Sequence, residues 1–237
     1  MSLVLPDPFP FSIYSNFWQA PLYQQRYTEV VPMNTKKLIV IVPGSKTKGT
    51  HVPIFGALFS KFFSSYFGVQ VEGDAWFEPL RTALAEIPAD TIIFNWSGGI
   101  SPFAIRKAAR ELQRILLEHT DKEIILFTKS LGGAVAEKAA QDTRLPIKRL
   151  VYIVTPHFKF TGALPPSVKV TNIFSPADNY LRFANRVLYF GFGRIELPNV
   201  QNISIPNLRH SDFNHNLEIR YEDRDLLLFD FYREMLT

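Results

Sequence analysis

Residues 124–136 read IILFTKSLGGAVA, and three patterns follow one another in this segment. Four apolar residues predict a buried strand, a polar triplet ends in Ser130, and two glycines lead into small residues that are typical of a helix. A strand, a sharp turn and a helix in direct succession place Ser130 at the turn. Such a turn lifts the residue at its apex out of the surrounding surface and aims the first N–H groups of the helix at it.

The composition is that of a globular domain with one large core. The chain has 237 residues, of which 46% are hydrophobic and 14% aromatic, and we expect residues 1–237 to form a single domain. It contains no cysteine, which excludes disulfides, a thiol nucleophile and zinc–thiolate sites. The formal charge of +4 is small and dispersed, so the sequence does not predict a nucleic-acid partner.

The N-terminal segment MSLVLPDPFPFS is broken by three prolines and has no Lys or Arg. It therefore differs from a signal peptide, and we expect a cytoplasmic protein. Residues 1–36 are expected to pack on the domain as an extended arm. We predict no transmembrane segment, since even the apolar run from Ile54 to Gly68 contains Lys61.

Runs of β-branched and apolar residues alternate with segments of helical period. The predicted strands are Leu38–Val42, Thr91–Asn95, Glu123–Thr128, Arg149–Val154, Lys169–Phe174 and Val200–Ile205. The predicted helices are Val52–Phe67, Trp76–Glu86, Pro102–His119 and Gly132–Asp142. This alternation predicts an α/β fold whose central sheet is mostly parallel, with helices on both faces. In such a sheet ligands bind beyond the carboxyl ends of the strands, where Ser130 falls.

Three segments resemble the α/β-hydrolase superfamily, and within it the lipase, esterase and thioesterase group. SLGG after a buried strand is similar to the family's nucleophile turn, LIVIVPG ends where the family forms part of an oxyanion hole, and FNWSGG is similar to a segment of lipase-like members. The resemblance extends from residue 36 to 237 in the order of elements. Thr128 departs from it, because it stands where the G-x-S-x-G pattern has its first glycine.

The resemblance implies a catalytic triad in the order Ser, Asp, His. Ser130 would be the nucleophile, and Asp178, on a turn just after a strand, the acid; from local sequence alone, Asp178 is equally well explained as the cap of a helix beginning near Asn179. His210, close to the end of the last predicted strand, is the favoured base, and His215 is the alternative. His157 follows a strand end and is expected to line the pocket.

The implied reaction is hydrolysis of a carboxylic ester or thioester, a small-molecule substrate, through an acyl-enzyme. The backbone N–H of Leu131, together with that of Ser45 or Lys46, would form the oxyanion hole. No metal or cofactor is implied. Little or no cap domain is expected, because the link that contains Pro165 is short, and the aromatic run 54–68 is interpreted as a packed helix rather than a lid.

Two other functions remain compatible with the sequence. The chain is also consistent with a catalytically silent binding or interaction module on the same fold, since a fold does not fix a function. A third interpretation is an enzyme in which the serine acts as a base. A fluorophosphonate probe would distinguish a serine hydrolase from a binding module, because it reacts only with an activated serine.

Overall fold

The computed structural model describes most of the chain from residue 35 onward. The described ranges are 35–44, 77–99, 101–157, 164–188 and 195–237. Several sequence-based predictions lie outside them: the arm up to residue 34, the helix Val52–Phe67, the question of a lid at 54–68, and the oxyanion-hole candidates Ser45 and Lys46.

Six parallel strands form the central sheet, in the order β2-β1-β3-β4-β5-β6. Their bounds are β1 Lys37–Val42, β2 Asp90–Ile93, β3 Glu123–Lys129, β4 Ile147–Ile153, β5 Lys169–Phe174 and β6 Gln201–Ser204. The predicted parallel sheet is confirmed, and every predicted strand is present with its ends shifted by two residues at most. Strand β2 lies on one side of β1, and strands β3 to β6 lie on the other side. The strand order therefore reverses between β1 and β3.

The central strands β1 and β3 are buried on both faces because each contains an unbroken run of apolar residues. In β1, Leu38 and Val40 point to one face and Ile39 and Ile41 to the other, following the two-residue period of a strand, and all four are fully or almost fully buried. Each set belongs to a separate hydrophobic cluster. The two clusters correspond to the two helical layers of the fold.

Within the described ranges, four helices form these two layers. Helices α2 (Pro102–Leu117) and α3 (Gly132–Ala140) cover the face of Leu38, while α1 (Phe77–Leu84) and α5 (Leu228–Leu236) cover the opposite face. The side chain of Ser101 caps α2 by accepting a hydrogen bond from the N–H of Ala104 at 3.1 Å. None of the helices in the described ranges has the length and apolar character required to cross a bilayer.

The C-terminal part contains a short helix, which the cap interpretation of Asp178 expected near Asn179, and further elements that the sequence did not predict. A short helix, α4 (Asn179–Phe183), follows β5 and continues as a π-helix, Ala184–Leu188. An antiparallel hairpin of β7 (Glu218–Tyr221) and β8 (Arg224–Leu227) precedes α5. Its turn residues Glu222 and Asp223 both have positive φ angles, 46° and 62°, as a two-residue hairpin turn requires.

Candidate active site

Ser130 is the first residue after β3 and has a left-handed backbone conformation, with φ of 50°. This conformation is uncommon for a residue other than glycine and persists only where the surroundings fix it. Here the N–H of Ser130 donates to the carbonyl of Ile153 at 2.8 Å, and the carbonyl of Ser130 accepts from the N–H of Gly133 at 3.0 Å. The predicted sharp turn between strand and helix is therefore confirmed.

Gly132 and Gly133 let helix α3 approach the ends of two strands. A Cβ atom on Gly132 would collide with the carbonyl oxygens of Val42 and Pro43, at the end of β1. A Cβ atom on Gly133 would collide with the side chain of Thr155, which follows β4. The pair of glycines thus brings the amino end of α3, with its partial positive charge, close against the sheet beside Ser130.

Thr128 replaces the first glycine of the G-x-S-x-G pattern without leaving a polar group unpaired. Its side chain is fully buried, and its hydroxyl donates to the carbonyl of Val151 in β4 at 2.8 Å. A buried hydroxyl that has a partner costs little free energy, whereas an unpaired one costs about 1 to 3 kcal/mol. Thr128 is therefore part of the contact between β3 and β4, and the substitution leaves the turn at Ser130 intact.

The two residues that follow β1, Pro43 and Gly44, lead to a position directly beside Ser130. A Cβ atom on Gly44 would lie 3.0 Å from the Cβ and 3.6 Å from the Oγ of Ser130, so a glycine permits the close approach. The indole N–H of Trp96 donates to the carbonyl of Pro43 at 2.8 Å, and Trp96 is buried. The FNWSGG segment thus fixes the peptide that leads into Gly44, a role that the sequence reading did not identify.

Asp178 and His210 form a buried pair beyond the carboxyl ends of the strands, the side of the sheet on which Ser130 lies. The Nδ1 atom of His210 lies 2.8 Å from the Oδ2 atom of Asp178, and both residues are buried. The second carboxylate oxygen, Oδ1, accepts from the N–H of Leu181 at 2.8 Å and so caps α4. Asp178 therefore both caps a helix and contacts a histidine, so the two interpretations of this residue are compatible.

The hydrogen bond between this pair determines which nitrogen of His210 carries the proton. An ionised carboxylate only accepts hydrogen bonds, so Nδ1 donates and Nε2 is available as an acceptor. The ring of Tyr180 lies beside the imidazole, with 4.5 Å between ring centroids, and thus packs against it. Ser130, Asp178 and His210 follow β3, β5 and β6 respectively, and because these strands are parallel, all three residues lie at one edge of the sheet.

The alternative base, His215, has a different environment. It is exposed and ends the short 3₁₀-helix Asp212–Asn214. The carboxylate of Asp212 accepts from the N–H of Arg209 at 2.7 Å and so closes the turn around His210. Of the two histidines, His210 is the one that contacts Asp178.

His157 belongs to a buried polar network between β4, β5 and β6. Its Nε2 lies 3.1 Å from the Oδ1 of Asn172, whose amide N–H groups donate to Asn202 and to the carbonyl of Ile195. Because Asn172 donates with its nitrogen, its oxygen accepts from the Nε2–H of a neutral His157. Burial lowers the pKa of His157 to about 4, although the hydrogen bond to Asn172 opposes this shift.

We expect His157 to make the folded state sensitive to acid. Above pH 6.5 the imidazole is neutral in both the folded and the unfolded state. Between pH 6.5 and about 4 only the unfolded chain binds the proton. The free energy of unfolding therefore decreases by about 3 kcal/mol in total as the pH is lowered through this range. Urea unfolding at a series of pH values should show this loss, and His157→Gln, which keeps an N–H donor but does not titrate, should remove it. Equal pH dependence in the two proteins would contradict the prediction.

The sequence reading also missed a partly buried contact between Lys129 and Asn214. Lys129 immediately precedes Ser130, and its Nζ donates to the Oδ1 of Asn214, in the loop that follows His210. A lysine at the carboxyl end of a largely apolar strand is the signal in the sequence that could have indicated this contact, because lysine is seldom buried without a partner.

Comparison with known proteins shows the fold. No family model matches the chain, and no curated protein sequence matches it either. The structure is similar to that of alpha/beta hydrolase domain-containing protein 10 from mouse, with 12% identity, a TM-score of 0.54, and coverage of 89% of this chain and 91% of that one. It is also similar to Est1E from Butyrivibrio proteoclasticus, solved with ferulic acid bound, with 14% identity, a TM-score of 0.50, and coverage of 89% and 93%. The chain therefore has the α/β-hydrolase fold.

Proposed function

We propose that this chain, which has the α/β-hydrolase fold, is a serine hydrolase that cleaves carboxylic esters or thioesters through an acyl-enzyme. The observation that carries the proposal is the buried pair of Asp178 and His210 at the sheet edge where Ser130 occupies a strained turn. Backbone strain is found preferentially at functional sites, and a histidine held through Nδ1 by a carboxylate has the arrangement that orients a general base.

In the proposed reaction, Ser130 is the nucleophile and His210 the general base. A serine hydroxyl is a weak nucleophile until a base removes its proton. The Nε2 atom of His210 takes this proton as Oγ attacks the acyl carbonyl, while Asp178 holds the ring by Nδ1 and stabilises the imidazolium that forms. Because Asp178 is itself held by the N–H of Leu181, the carboxylate does not need to reorganise during the reaction.

The negative charge on the attacked oxygen requires preorganised donors. The N–H of Leu131, at the amino end of α3, is the first candidate, and the dipole of that helix favours an anion there. The second candidate is an N–H of Ser45 or Lys46, which follow in sequence the Gly44 that lies beside Ser130. One such donor is worth about 3 to 4 kcal/mol in comparable enzymes.

Hydrolysis is completed in two further steps. As the tetrahedral intermediate collapses, His210 gives its proton to the departing alcohol or thiol, and the acyl group remains as an ester on Oγ. His210 then removes a proton from a water molecule that attacks this ester, and returns it to Oγ as the carboxylic acid leaves. Each step uses the same proton acceptor, and Asp178 stays ionised throughout.

A fluorophosphonate probe tests the proposal most directly. We expect the purified protein to be labelled at a single site, Ser130, and to hydrolyse p-nitrophenyl esters or acyl-CoA thioesters of short to medium chain length. Peptide mapping of the labelled protein identifies the modified residue. If the protein is inert toward a broad ester and thioester panel and also escapes the probe, it is a binding module on this fold and the proposal is wrong.

A further inference from the structure

Lys129 connects the strand that carries the nucleophile to the loop that carries the base. It is the last residue of β3, is only 8% exposed, and is followed directly by Ser130. Its ammonium group donates to the side-chain oxygen of Asn214. The contact joins positions 85 residues apart in the chain, so it forms only when the two parts of the site are in place.

The path of the Lys129 side chain is apolar. It borders a small cavity beneath the strand ends, whose other lining residues are Ile41, Val42, Leu80, Phe127, Ile153, Phe213 and Tyr232. The methylene groups of a lysine can lie along such a surface while the ammonium group reaches a polar partner at its far end. A charged group this deeply buried is costly unless it is hydrogen-bonded, and the amide oxygen of Asn214 provides one such bond.

Asn214 lies in the second half of the histidine loop, which we define as residues 206–217. The loop has other anchors: Phe213 is buried in the core, and its carbonyl lies 3.3 Å from the hydroxyl of Tyr232 in α5. Those contacts hold the loop to the helix layer. The contact with Lys129 is different, because it holds the loop to the residue next to the nucleophile.

We propose that Lys129 is a positioning residue that sets His210 relative to Ser130 through Asn214. The inference rests on the proposed function, in which His210 must meet the hydroxyl of Ser130. The two side chains are carried by separate elements, after β6 and after β3, and a displacement of about 1 Å between reacting groups can lower a rate by about a hundredfold. A direct bond between these elements limits that displacement.

The other end of the same strand provides a matched control. Lys122, next to the first residue of β3, is also largely buried and contacts the carboxylate of Asp90. This pair lies at the amino end of the sheet, away from Ser130. Lys122→Met and Lys129→Met therefore each remove a buried ammonium group at an end of β3, but only the second removes one beside the site.

The experiment compares Lys129→Met, Asn214→Leu and the double variant with Lys122→Met. We expect each single variant at the site to lower kcat by about tenfold to a hundredfold with little change in KM. The double variant should be no slower than the worse single variant, because both remove the same contact. Asn214→Asp, which keeps an acceptor for the ammonium group, should stay close to the wild type, and Lys122→Met should keep its kcat per folded molecule.

A second measurement monitors the hydrogen bond between His210 and Asp178 and does not depend on catalytic activity. The Nδ1–H proton that His210 donates to Asp178 should give a protected, far-downfield signal in a proton NMR spectrum, and we expect Lys129→Met and Asn214→Leu to broaden or remove it. Unchanged kcat in Asn214→Leu, additive losses in the double variant, or a signal that persists in both variants would overturn the inference. A wild type that shows this signal but neither turnover nor labelling would instead contradict the proposed function.

Discussion

Replacement of Ser130 by alanine is expected to lower kcat by at least about a thousandfold and to abolish fluorophosphonate labelling. The reason is that the proposed acyl-enzyme forms on the Oγ atom, which alanine lacks. The fold should be retained, because the bonds that hold this turn are made by the backbone of Ser130, to Ile153 and Gly133. We expect the free energy of unfolding to change by less than about 1 kcal/mol, measured by urea denaturation beside the kinetic assay.

Ser101 provides the control for this substitution. Its hydroxyl caps α2, so Ser101→Ala should lose about 1 kcal/mol of stability but keep both turnover and labelling. A Ser130→Ala protein that is still labelled, or that keeps more than a small part of its esterase activity, would exclude Ser130 as the nucleophile.

The second large effect is expected from the base. His210→Ala should lower kcat by at least about a hundredfold, the contribution of a general base, whereas His215→Ala should keep most of its activity. The physical reason is that His210 contacts the buried carboxylate of Asp178, while His215 is exposed. Steady-state kinetics of the two purified variants on one p-nitrophenyl ester provides the measurement.

A further variant separates loss of the base from loss of the fold. His210→Ala leaves the buried Asp178 without a partner at Oδ2, which destabilises the protein. His210→Asn keeps an N–H donor near that oxygen but has no nitrogen that can accept a proton, so it should be better folded and equally inactive. An inactive His215→Ala together with an active His210→Asn would assign the base to His215.

The sequence predicted the sheet well because its central strands, β1 and β3, are buried on both faces. Uninterrupted apolar runs such as the one in β3 have few alternatives to a central parallel strand, and the turn after this strand was recognisable from the glycines alone. Asp178 and His210 were predicted from the resemblance, which implies an acid and a base after strand ends, and each of them follows the end of a strand. Local sequence did not rank His210 decisively over His215, because the contact of His210 with Asp178 depends on the tertiary structure.

The parts that the sequence reading missed depend on weaker local preferences. The hairpin turn uses Glu222 and Asp223 in left-handed conformations, instead of the Asn-Gly or Asp-Gly pairs that favour such turns. The contact of Lys129 with Asn214 joins distant parts of the chain, and no periodic pattern encodes it. Helix α5 was also not predicted, although Leu228, Phe231, Tyr232 and Met235 have helical spacing.

The backbone of Ser130 places stability and chemistry in opposition at one position. A left-handed conformation costs a residue with a side chain about 1 to 2 kcal/mol, and glycine avoids most of this cost. Ser130 thus carries a conformational cost that a glycine would avoid. The proposed reaction supplies a reason for that cost, because it requires the hydroxyl group that a glycine lacks.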